Sequence, residues 1–351
     1  MFKPKESKPS SAQWQRLYEL AQEIYTMKPW QWMWDKDIFA ISDPLSDDML
    51  YICVMGRNGE HLSIAAYIGV QGFTGLNILF QMEMNPDSYR TVDLLNAQTC
   101  LQAIFQPIYD VDPQDVSRAR EYGWQDRSMV CEFESFLPGY PPWTITKDEA
   151  TRLIATLEQT LNVAPRFKKT ETLFTGLPED RLFARIKTTG NLHEWQDGSA
   201  EISFPVLPDP MLETGVLGTS KEYISLVAGM PPGNAVWEAD VVYAQGSIDG
   251  RPYILRPYFP KLAMLLDHDS YTAYDMRLMT PHHHDEQIAK MCVKACQQTG
   301  SLPREIIVGD DSLKVILKQL VQGLSITVSF GSELPAIDEA VAHMDEYLGK
   351  V

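Results

Sequence analysis

The sequence predicts an α+β protein with an N-terminal mixed α+β domain and a C-terminal three-layer domain in the order βββαβαβα. The chain has 351 residues, which is too long for one ordinary hydrophobic core. Hydrophobic residues make up 44% of it, enough to fill two cores. Apolar residues recur at helical spacing in some segments and at strand spacing in others. We expect domains at residues 1–162 and 234–351, joined by a connecting or extension segment at residues 163–233.

The N-terminal domain begins with a predicted amphipathic helix. Ser10 or Ser11 can cap its first turn, and the helix is expected to end before Pro29. Its apolar face is formed by Trp14, Leu17, Ala21, Ile24 and Tyr25.

Strands follow this first helix. Apolar runs at residues 38–41 and 51–55 predict two strands, separated by a turn at Asp43-Pro44. A second turn occupies residues 57–60. The next apolar run, residues 62–70, fits either a central strand or a short helix, because its spacing does not decide between them.

Three glycines, Gly69, Gly72 and Gly75, invite comparison with phosphate-binding loops, in which glycines let backbone amides approach an anion. Their spacing matches neither the dinucleotide-binding nor the P-loop pattern. No Lys-Ser or Lys-Thr pair follows them. The three glycines are therefore predicted to serve a turn or close packing.

The rest of the N-terminal domain is predicted to contain a helix at residues 91–105, a strand at 128–136 and a helix at 150–161. Thr146 and Glu149 have the spacing of a capping box for this last helix. The connecting segment is predicted to hold short strands at residues 182–187 and 201–204.

The C-terminal domain has the clearest pattern. Its first three strands are joined by links short enough for antiparallel neighbours, whereas each later strand follows a helix and can be parallel through a right-handed crossover. The elements are predicted at residues 237–244, 261–266, 273–279, 285–298, 305–308, 312–320, 325–330 and 336–348. This order resembles that of the ribonuclease H-like fold.

The resemblance to the ribonuclease H-like superfamily, which includes nucleases, transposases and integrases, implies acidic residues that hold two divalent cations. Hard Mg²⁺ prefers carboxylate oxygens, and paired metals can clamp both oxygens of a phosphodiester displacement. The positions that match are Asp240 on the first strand, Asp310 or Asp311 after the fourth, Asp338, Asp345 or Glu346 on the last helix, and Glu286 on the first helix.

The same acids also have ordinary structural explanations. Asp310 and Asp311 are suited to capping the helix that follows them. Asp338 and Glu339 suit a first helical turn, where negative charge favours the helix dipole. We therefore expect structural roles and no cofactor. Metal-dependent phosphodiester cleavage with Mg²⁺ or Mn²⁺ is the alternative.

A second resemblance concerns haloacid dehalogenase-like phosphatases. Residues 265–269 resemble the nucleophile loop of these enzymes and residues 306–311 resemble their acidic metal motif, with Thr280 and Lys290 in the remaining roles. The loop and the strand after it would have to be joined by a crossover of a dozen or more residues. Too few residues are present, so a hairpin turn is predicted instead.

Histidines and cysteines give no metal-binding pattern. His282, His283 and His284 are consecutive and project in different directions, and with His268 they form no i, i+4 pair. They are predicted to be loop and helix-start residues. The five cysteines form no CxxC pair, and Cys292 and Cys296 are predicted to be buried thiols on one helix face.

The excess of acidic residues makes some classes of binding partner unfavourable. With 30 Lys+Arg against 47 Asp+Glu, the formal charge is -17, which disfavours nucleic acid. No secretory signal or run of roughly 18 apolar residues is present, so we expect a cytoplasmic protein without membrane association. An odd number of unpaired cysteines agrees with a reducing compartment.

Trp30, Trp32 and Trp34 alternate along the chain and suggest a surface for protein–protein recognition. That hypothesis requires the three rings to be exposed. Burial is the commoner fate of such side chains.

Aromatic and proline blocks across most of the chain are similar to those of a bacterial two-domain family of unknown function. This resemblance implies a domain layout and an organism type but no activity. From it and from the lack of a complete catalytic set, we expect a non-catalytic binding or regulatory role with a protein partner. The blocks lie at residues 30–41, 51–60, 138–143, 256–260 and 303–308.

Overall fold

The computed structural model describes residues 7–84, 91–188, 194–202, 224–249, 256–280, 285–309 and 311–348. It divides the chain into two compact units. Unit 1 comprises Met1–Pro138 and Pro142–Pro205, and unit 2 comprises Gly139–Pro141 and Val206–Val351.

Unit 1 is built on an eight-stranded mixed sheet. Its helices are α1 (Ser11–Met27), α2 (Gly69–Glu83), α3 (Thr91–Asn96), α4 (Pro113–Glu121) and α5 (Lys147–Lys169). Its strands are β1 (Phe39–Ser42), β2 (Met49–Met55), β3 (Ser63–Ile68), β4 (Cys100–Pro107), β5 (Met129–Phe136), β6 (Trp143–Thr144), β7 (Arg181–Lys187) and β8 (Trp195–Glu201). The strand order is β6-β5-β4-β3-β2-β1-β7-β8, in which β1 and β7 are parallel and the other neighbours antiparallel.

Helices α1 and α5 pack against one face of this sheet, and both begin at predicted caps. The Ser10 hydroxyl accepts a hydrogen bond from the backbone of Gln13, and Thr146 and Glu149 form the expected capping box. The buried core between these helices and the sheet includes Leu17, Ile24 and other apolar residues of both layers.

Helix α2 covers part of the other face and explains the three glycines. A Cβ atom on Gly75 would lie 2.0 Å from the carbonyl oxygen of Ala97, and one on Gly72 would lie 2.7 Å from that of Thr99. Gly69 begins α2 with a positive φ of 60°. The prediction of turn and packing glycines is confirmed.

Two expectations for unit 1 differ from the structure. The helix predicted at residues 91–105 ends at Asn96, and residues 100–107 form β4. This strand is buried along most of its length, so its apolar run lacks the alternation that distinguishes a strand from a helix.

The first part of residues 163–233, the segment predicted to connect the domains, belongs to unit 1. Helix α5 continues to Lys169, through Pro165, and β7 and β8 then extend the sheet beyond β1. Most side chains of β8 are polar and at least partly exposed. A strand with one solvated face has no continuous apolar run, so the sequence did not indicate that residues 195–201 belong to the sheet.

Unit 2 has the predicted order βββαβαβα. Its elements are β9 (Val236–Tyr243), β10 (Lys261–Asp267), β11 (Ala273–Met279), α6 (Asp285–Thr299), β12 (Glu305–Val308), α7 (Asp311–Leu320), β13 (Thr327–Phe330) and α8 (Pro335–Leu348). The sheet order is β11-β10-β9-β12-β13. The first three strands are antiparallel to their neighbours, and β12 is parallel to both β9 and β13.

Helices cover both faces of the second sheet. Helices α6 and α7 pack over one face around Trp237, and α8 packs over the other beside Leu262 and Met264. Alternate residues of β9 therefore project towards different helices. This alternation decides the surroundings of the acidic residues on β9.

Candidate functional site

Glu238 on β9 is fully buried on the α8 face of the sheet. Its Oε2 accepts hydrogen bonds of 3.0 Å from the backbone N–H groups of Ala336 and Ile337, at the start of α8. Its Oε1 lies 2.6 Å from Nδ1 of His268. A carboxylate at a helix N-terminus is stabilised by free amides and the helix dipole, so Glu238 anchors α8 to the sheet.

Asp240 lies two residues along β9 and therefore on the same face as Glu238. Its Oδ1 accepts a hydrogen bond of 2.8 Å from the backbone N–H of Val241. A Cβ atom on Gly309 would lie 2.8 Å from Asp240 Oδ2. The structure thus brings the first predicted acid beside Gly309, at the end of β12.

The other predicted acids are described only in part. Asp310 lies outside the described residues, as do the side chains of Asp311, Asp345 and Glu286. Asp338 is exposed and its carboxylate accepts a hydrogen bond from Leu334 N–H at 3.2 Å, as an acid at a helix start does. Glu346 is exposed near the end of α8.

No group of three His, Cys, Asp or Glu side chains with metal-binding geometry occurs among the residues the structure describes. In that part of the chain, Glu238 has both oxygens engaged by the protein itself. These contacts give Glu238 a structural role. The role of Asp240 stays a prediction, because Asp310 and the side chain of Asp311 lie outside the described residues.

The phosphatase-like segment is a hairpin, as predicted. Strands β10 and β11 pair antiparallel, and the Asp267 carboxylate accepts hydrogen bonds from the backbone and hydroxyl of Ser270, both at 2.9 Å. The antiparallel pairing excludes the parallel arrangement that the phosphatase hypothesis needs. Residues 281–284, which include the three consecutive histidines, lie outside the described residues.

All five cysteines are buried and free. Burial raises the pKa of Cys292 to about 12 and that of Cys296 to about 11, so both thiols are protonated at neutral pH. The prediction of buried thiols on α6 is confirmed.

The three tryptophans do not form one exposed surface. Trp30 is 5% exposed in the core of unit 1, and the indole of Trp32 donates a 3.0 Å hydrogen bond to the carbonyl of Ala164. Only Trp34, among the three, is largely exposed, at 48%, and the Arg57 guanidinium lies over its ring. Of the three rings, Trp34 alone has the exposure that the recognition hypothesis requires, and a role for it in protein recognition stays a prediction.

A groove in unit 1, lined by both polar and apolar side chains, is a feature that the sequence did not indicate. It runs along α1 and is open to solvent. The Tyr18 and Tyr122 rings stack beside it, with centroids 6.2 Å apart and planes 6° apart. It is lined by Gln15, Tyr18, Glu19, Gln22, Glu23, Thr26, Met27, Tyr122, Gly123, Gln125 and Leu161.

The charge of this groove is negative. Glu19 and Glu23 are exposed on adjacent turns of α1, and its described lining contains no lysine or arginine. Arg16, on the neighbouring side of α1, forms a 2.8 Å ion pair with Glu158 and a longer one of 3.6 Å with Glu19 of the groove, so Glu23 is the groove glutamate without an ion pair to Arg16. The hydrogen bond with Glu158 raises the pKa of Arg16, so the guanidinium stays positively charged.

A second concavity adjoins the groove at Tyr122. The Arg118 guanidinium lies 4.7 Å from the centroid of the Trp14 ring and forms an ion pair with Asp115. Helical spacing alone predicted Trp14 as part of the buried face of α1. Its ring is partly buried, and it lines this open surface together with Ser117 and Glu121.

Comparisons with known proteins agree with the two-unit architecture. Residues 14–185 match the family described as Domain of unknown function (DUF7309), and residues 227–345 match Domain of unknown function (DUF6930). The chain belongs to a two-domain family of unknown function. No curated protein matches the chain. The family resemblance predicted from the aromatic and proline blocks is confirmed in its two-domain layout.

Helices that could cross a bilayer were sought among the described residues. None combines sufficient length with sufficient apolar character.

Proposed function

We propose that the protein has a non-catalytic binding role, and that the groove along α1 holds a positively charged segment of a partner protein. The observation that carries this proposal is an open groove with two exposed glutamates on one wall and the partly exposed ring of Tyr122 beside it, stacked on the buried ring of Tyr18. Aromatic side chains at such surfaces supply apolar contact area without much loss of conformational entropy. The glutamates favour cationic partners by charge complementarity.

The groove is also preformed. The backbone N–H of Gln125 donates a 3.4 Å hydrogen bond to the side chain of Gln22, which links α1 to the loop after α4. Burial raises the pKa of Tyr18, so this phenol stays neutral beside the glutamates. A preformed groove spares part of the ordering cost of binding.

Fluorescence anisotropy with a labelled amphipathic lysine-rich peptide tests this role, with a glutamate-rich peptide of the same pattern as the negative probe. Saturable binding of the lysine-rich peptide alone, weakened by salt, is expected. Glu19→Gln/Glu23→Gln is expected to weaken this binding by about tenfold, the equivalent of ~1.4 kcal/mol. Failure of the lysine-rich peptide to bind overturns the proposal.

A matched control separates the groove from the overall charge of -17. Asp47 and Glu60 are exposed acids of unit 1 that do not line the groove. The variant Asp47→Asn/Glu60→Gln changes the net charge by the same amount. Equal loss of binding in both variants would show non-specific attraction and contradict the assignment to the groove.

The fold of unit 2 is proposed to be ribonuclease H-like, supported by the sheet order β11-β10-β9-β12-β13. The alternative function, a phosphodiesterase dependent on Mg²⁺ or Mn²⁺, would use Asp240, Asp310 or Asp311, and an acid of the last helix such as Asp338 or Glu346. Calorimetric titration with each cation distinguishes the two functions. Saturable binding that Asp240→Asn abolishes would favour the enzyme.

We propose a cytoplasmic location in a bacterial cell, which the five free cysteines support. Fractionation of cells that express the tagged chain tests it. Recovery in the membrane or periplasmic fraction would contradict it.

A further inference from the structure

Strand β11 forms an edge of the sheet in unit 2. It pairs with β10 on one side, and on its other side no strand of the described chain lies against it. Such an edge presents backbone N–H and C=O groups that can pair with another strand. Proteins commonly protect such edges from pairing with other strands, for example with charged side chains or a covering helix. The side chains of β11 show whether this edge is protected.

The face of β11 that adjoins α8 is apolar and exposed. Met276 is 42% exposed and Leu278 is 59% exposed. Their cross-strand partners on β10 are Met264 and Leu262, both buried. The buried apolar surface of the sheet therefore continues onto its edge strand without a cover among the described residues.

The other face of β11 carries two opposite charges. The guanidinium of Arg277 lies 2.8 Å from the carboxylate of Asp275 and 3.0 Å from the side chain of Gln287 on α6. The ammonium of Lys294 lies 3.2 Å from the same carboxylate. These contacts hold both charges on the α6 face of the edge strand.

The order of these residues is self-complementary. If two β11 strands pair antiparallel about Met276, Asp275 of each lies opposite Arg277 of the other. Registers centred on Asp275 or on Arg277 instead place like charges directly opposite, which is unfavourable. The charge pattern thus selects one register out of the three centred on these residues.

We propose that β11 is a self-association surface, and that a second copy of this chain adds its own β11 to form a continuous ten-stranded sheet. The two copies are related by a two-fold axis at Met276, so one patch serves both. The pairing satisfies the edge hydrogen-bonding groups, buries Met276 and Leu278, and forms two Asp275–Arg277 pairs between copies.

Charge reversal tests this register. Asp275→Arg alone places arginine opposite arginine, and Arg277→Asp alone places aspartate opposite aspartate. Each single variant is expected to raise the dissociation constant of the dimer by about tenfold or more, which corresponds to ~1.4 kcal/mol. Analytical ultracentrifugation measures this change, and circular dichroism checks that each variant is folded.

Mixing the two single variants gives the sharper result. One variant then presents two arginines and the other two aspartates, so a heterodimer about Met276 has both charge pairs restored. The mixture is expected to sediment as a dimer at a concentration at which each variant alone is mostly monomeric. The double variant Asp275→Arg/Arg277→Asp is likewise expected to recover the dimer.

A control variant and three outcomes complete the test. Asp269→Arg makes the same change of net charge in the exposed turn next to β11 and should leave the dimer intact. A wild-type chain that is monomeric at its highest soluble concentration overturns the proposal. So does a folded mixture that fails to associate, or a dimer that Asp269→Arg disrupts as strongly as Asp275→Arg does.

Discussion

The carboxylate of Glu238 shows how a single buried charge can be tolerated. Two backbone amides of α8 and His268 occupy its oxygens. Replacement with glutamine keeps the shape of the side chain but removes its charge, which weakens the hydrogen bonds from the α8 amides. The new NH₂ group must also face either these amides or His268. We expect Glu238→Gln to lower the free energy of unfolding by about 2 kcal/mol.

Urea denaturation followed by far-UV circular dichroism measures this loss. Glu339→Gln provides the control, because Glu339 is an exposed acid in the first half of α8. Equal stability of Glu238→Gln and the wild-type protein would refute the anchoring role.

Asp197 links stability to pH. The hydrogen bond from Arg166 holds the pKa of Asp197 below its ordinary value, and Arg185 adds a second bond of 2.6 Å. Because the folded pKa lies below the unfolded one of about 3.9, this contribution is present above that pH. It is lost as the pH falls through the lower folded pKa.

We therefore expect Asp197→Asn to flatten the acid limb of the stability curve of unit 1. Urea unfolding at a series of pH values from about 6 down to about 3 measures the slope. Glu179→Gln, at an exposed acid close in sequence, should keep the wild-type slope. An unchanged slope in Asp197→Asn would show that the ion pairs contribute nothing.

The residue scale is where sequence reasoning was weakest. It named Asp240 but passed over Glu238, two positions earlier on the same strand. The partners of Glu238 lie 30, 98 and 99 residues away, so no local spacing could reveal them. The groove glutamates were similarly hidden, because Glu19 and Glu23 resemble any solvated helix face until α4 and its loop are placed.

Helix α2 depends on the close approach of its backbone to the segment before β4. A Cβ atom on Gly75 would clash with the Ala97 carbonyl oxygen at 2.0 Å, and backbone on both sides limits relief. We expect Gly75→Ala to cost about 1–3 kcal/mol through overpacking, despite the better helix propensity of alanine.

Thermal and urea unfolding measure this cost. Gly229→Ala is a suitable comparison, because a Cβ atom there meets nothing within 4 Å. A neutral or stabilising Gly75→Ala would mean that α2 can shift away from the sheet without loss.

At the element scale, prediction succeeded where links are short and caps are explicit. The C-terminal order followed from the spacing of strands and helices, and Thr146 with Glu149 correctly marked the start of α5. It failed at β4, whose continuous apolar run has no strand period. It also failed at β8, because pairing with a strand that is distant in sequence is decided by tertiary contacts.

The reactivity of the cysteine thiols measures how tightly both units are packed. All five are free and buried, and burial raises the pKa of each, to about 12 for Cys100 and Cys292. The native chain is therefore expected to react slowly with a chromogenic disulfide reagent at mildly alkaline pH. The chain unfolded in guanidinium should react at all five positions within the mixing time.

Absorbance at the released thiolate measures both reactions. A fast phase in the native protein would identify a cysteine that becomes accessible through local opening. A Cys296→Ser variant tests whether Cys296 causes that phase. Cys296 is tested first because burial raises its pKa only to about 11.

The parallel contact of β1 with β7 has a practical consequence for anyone who wishes to produce the first unit alone. The matched family region ends at residue 185, inside β7, and excludes β8. Cutting the gene there would remove the Asp197 partner of two arginines and leave a shortened strand to shield β1. Such a fragment should be prone to precipitation, whereas one that continues through residue 202 should remain in solution.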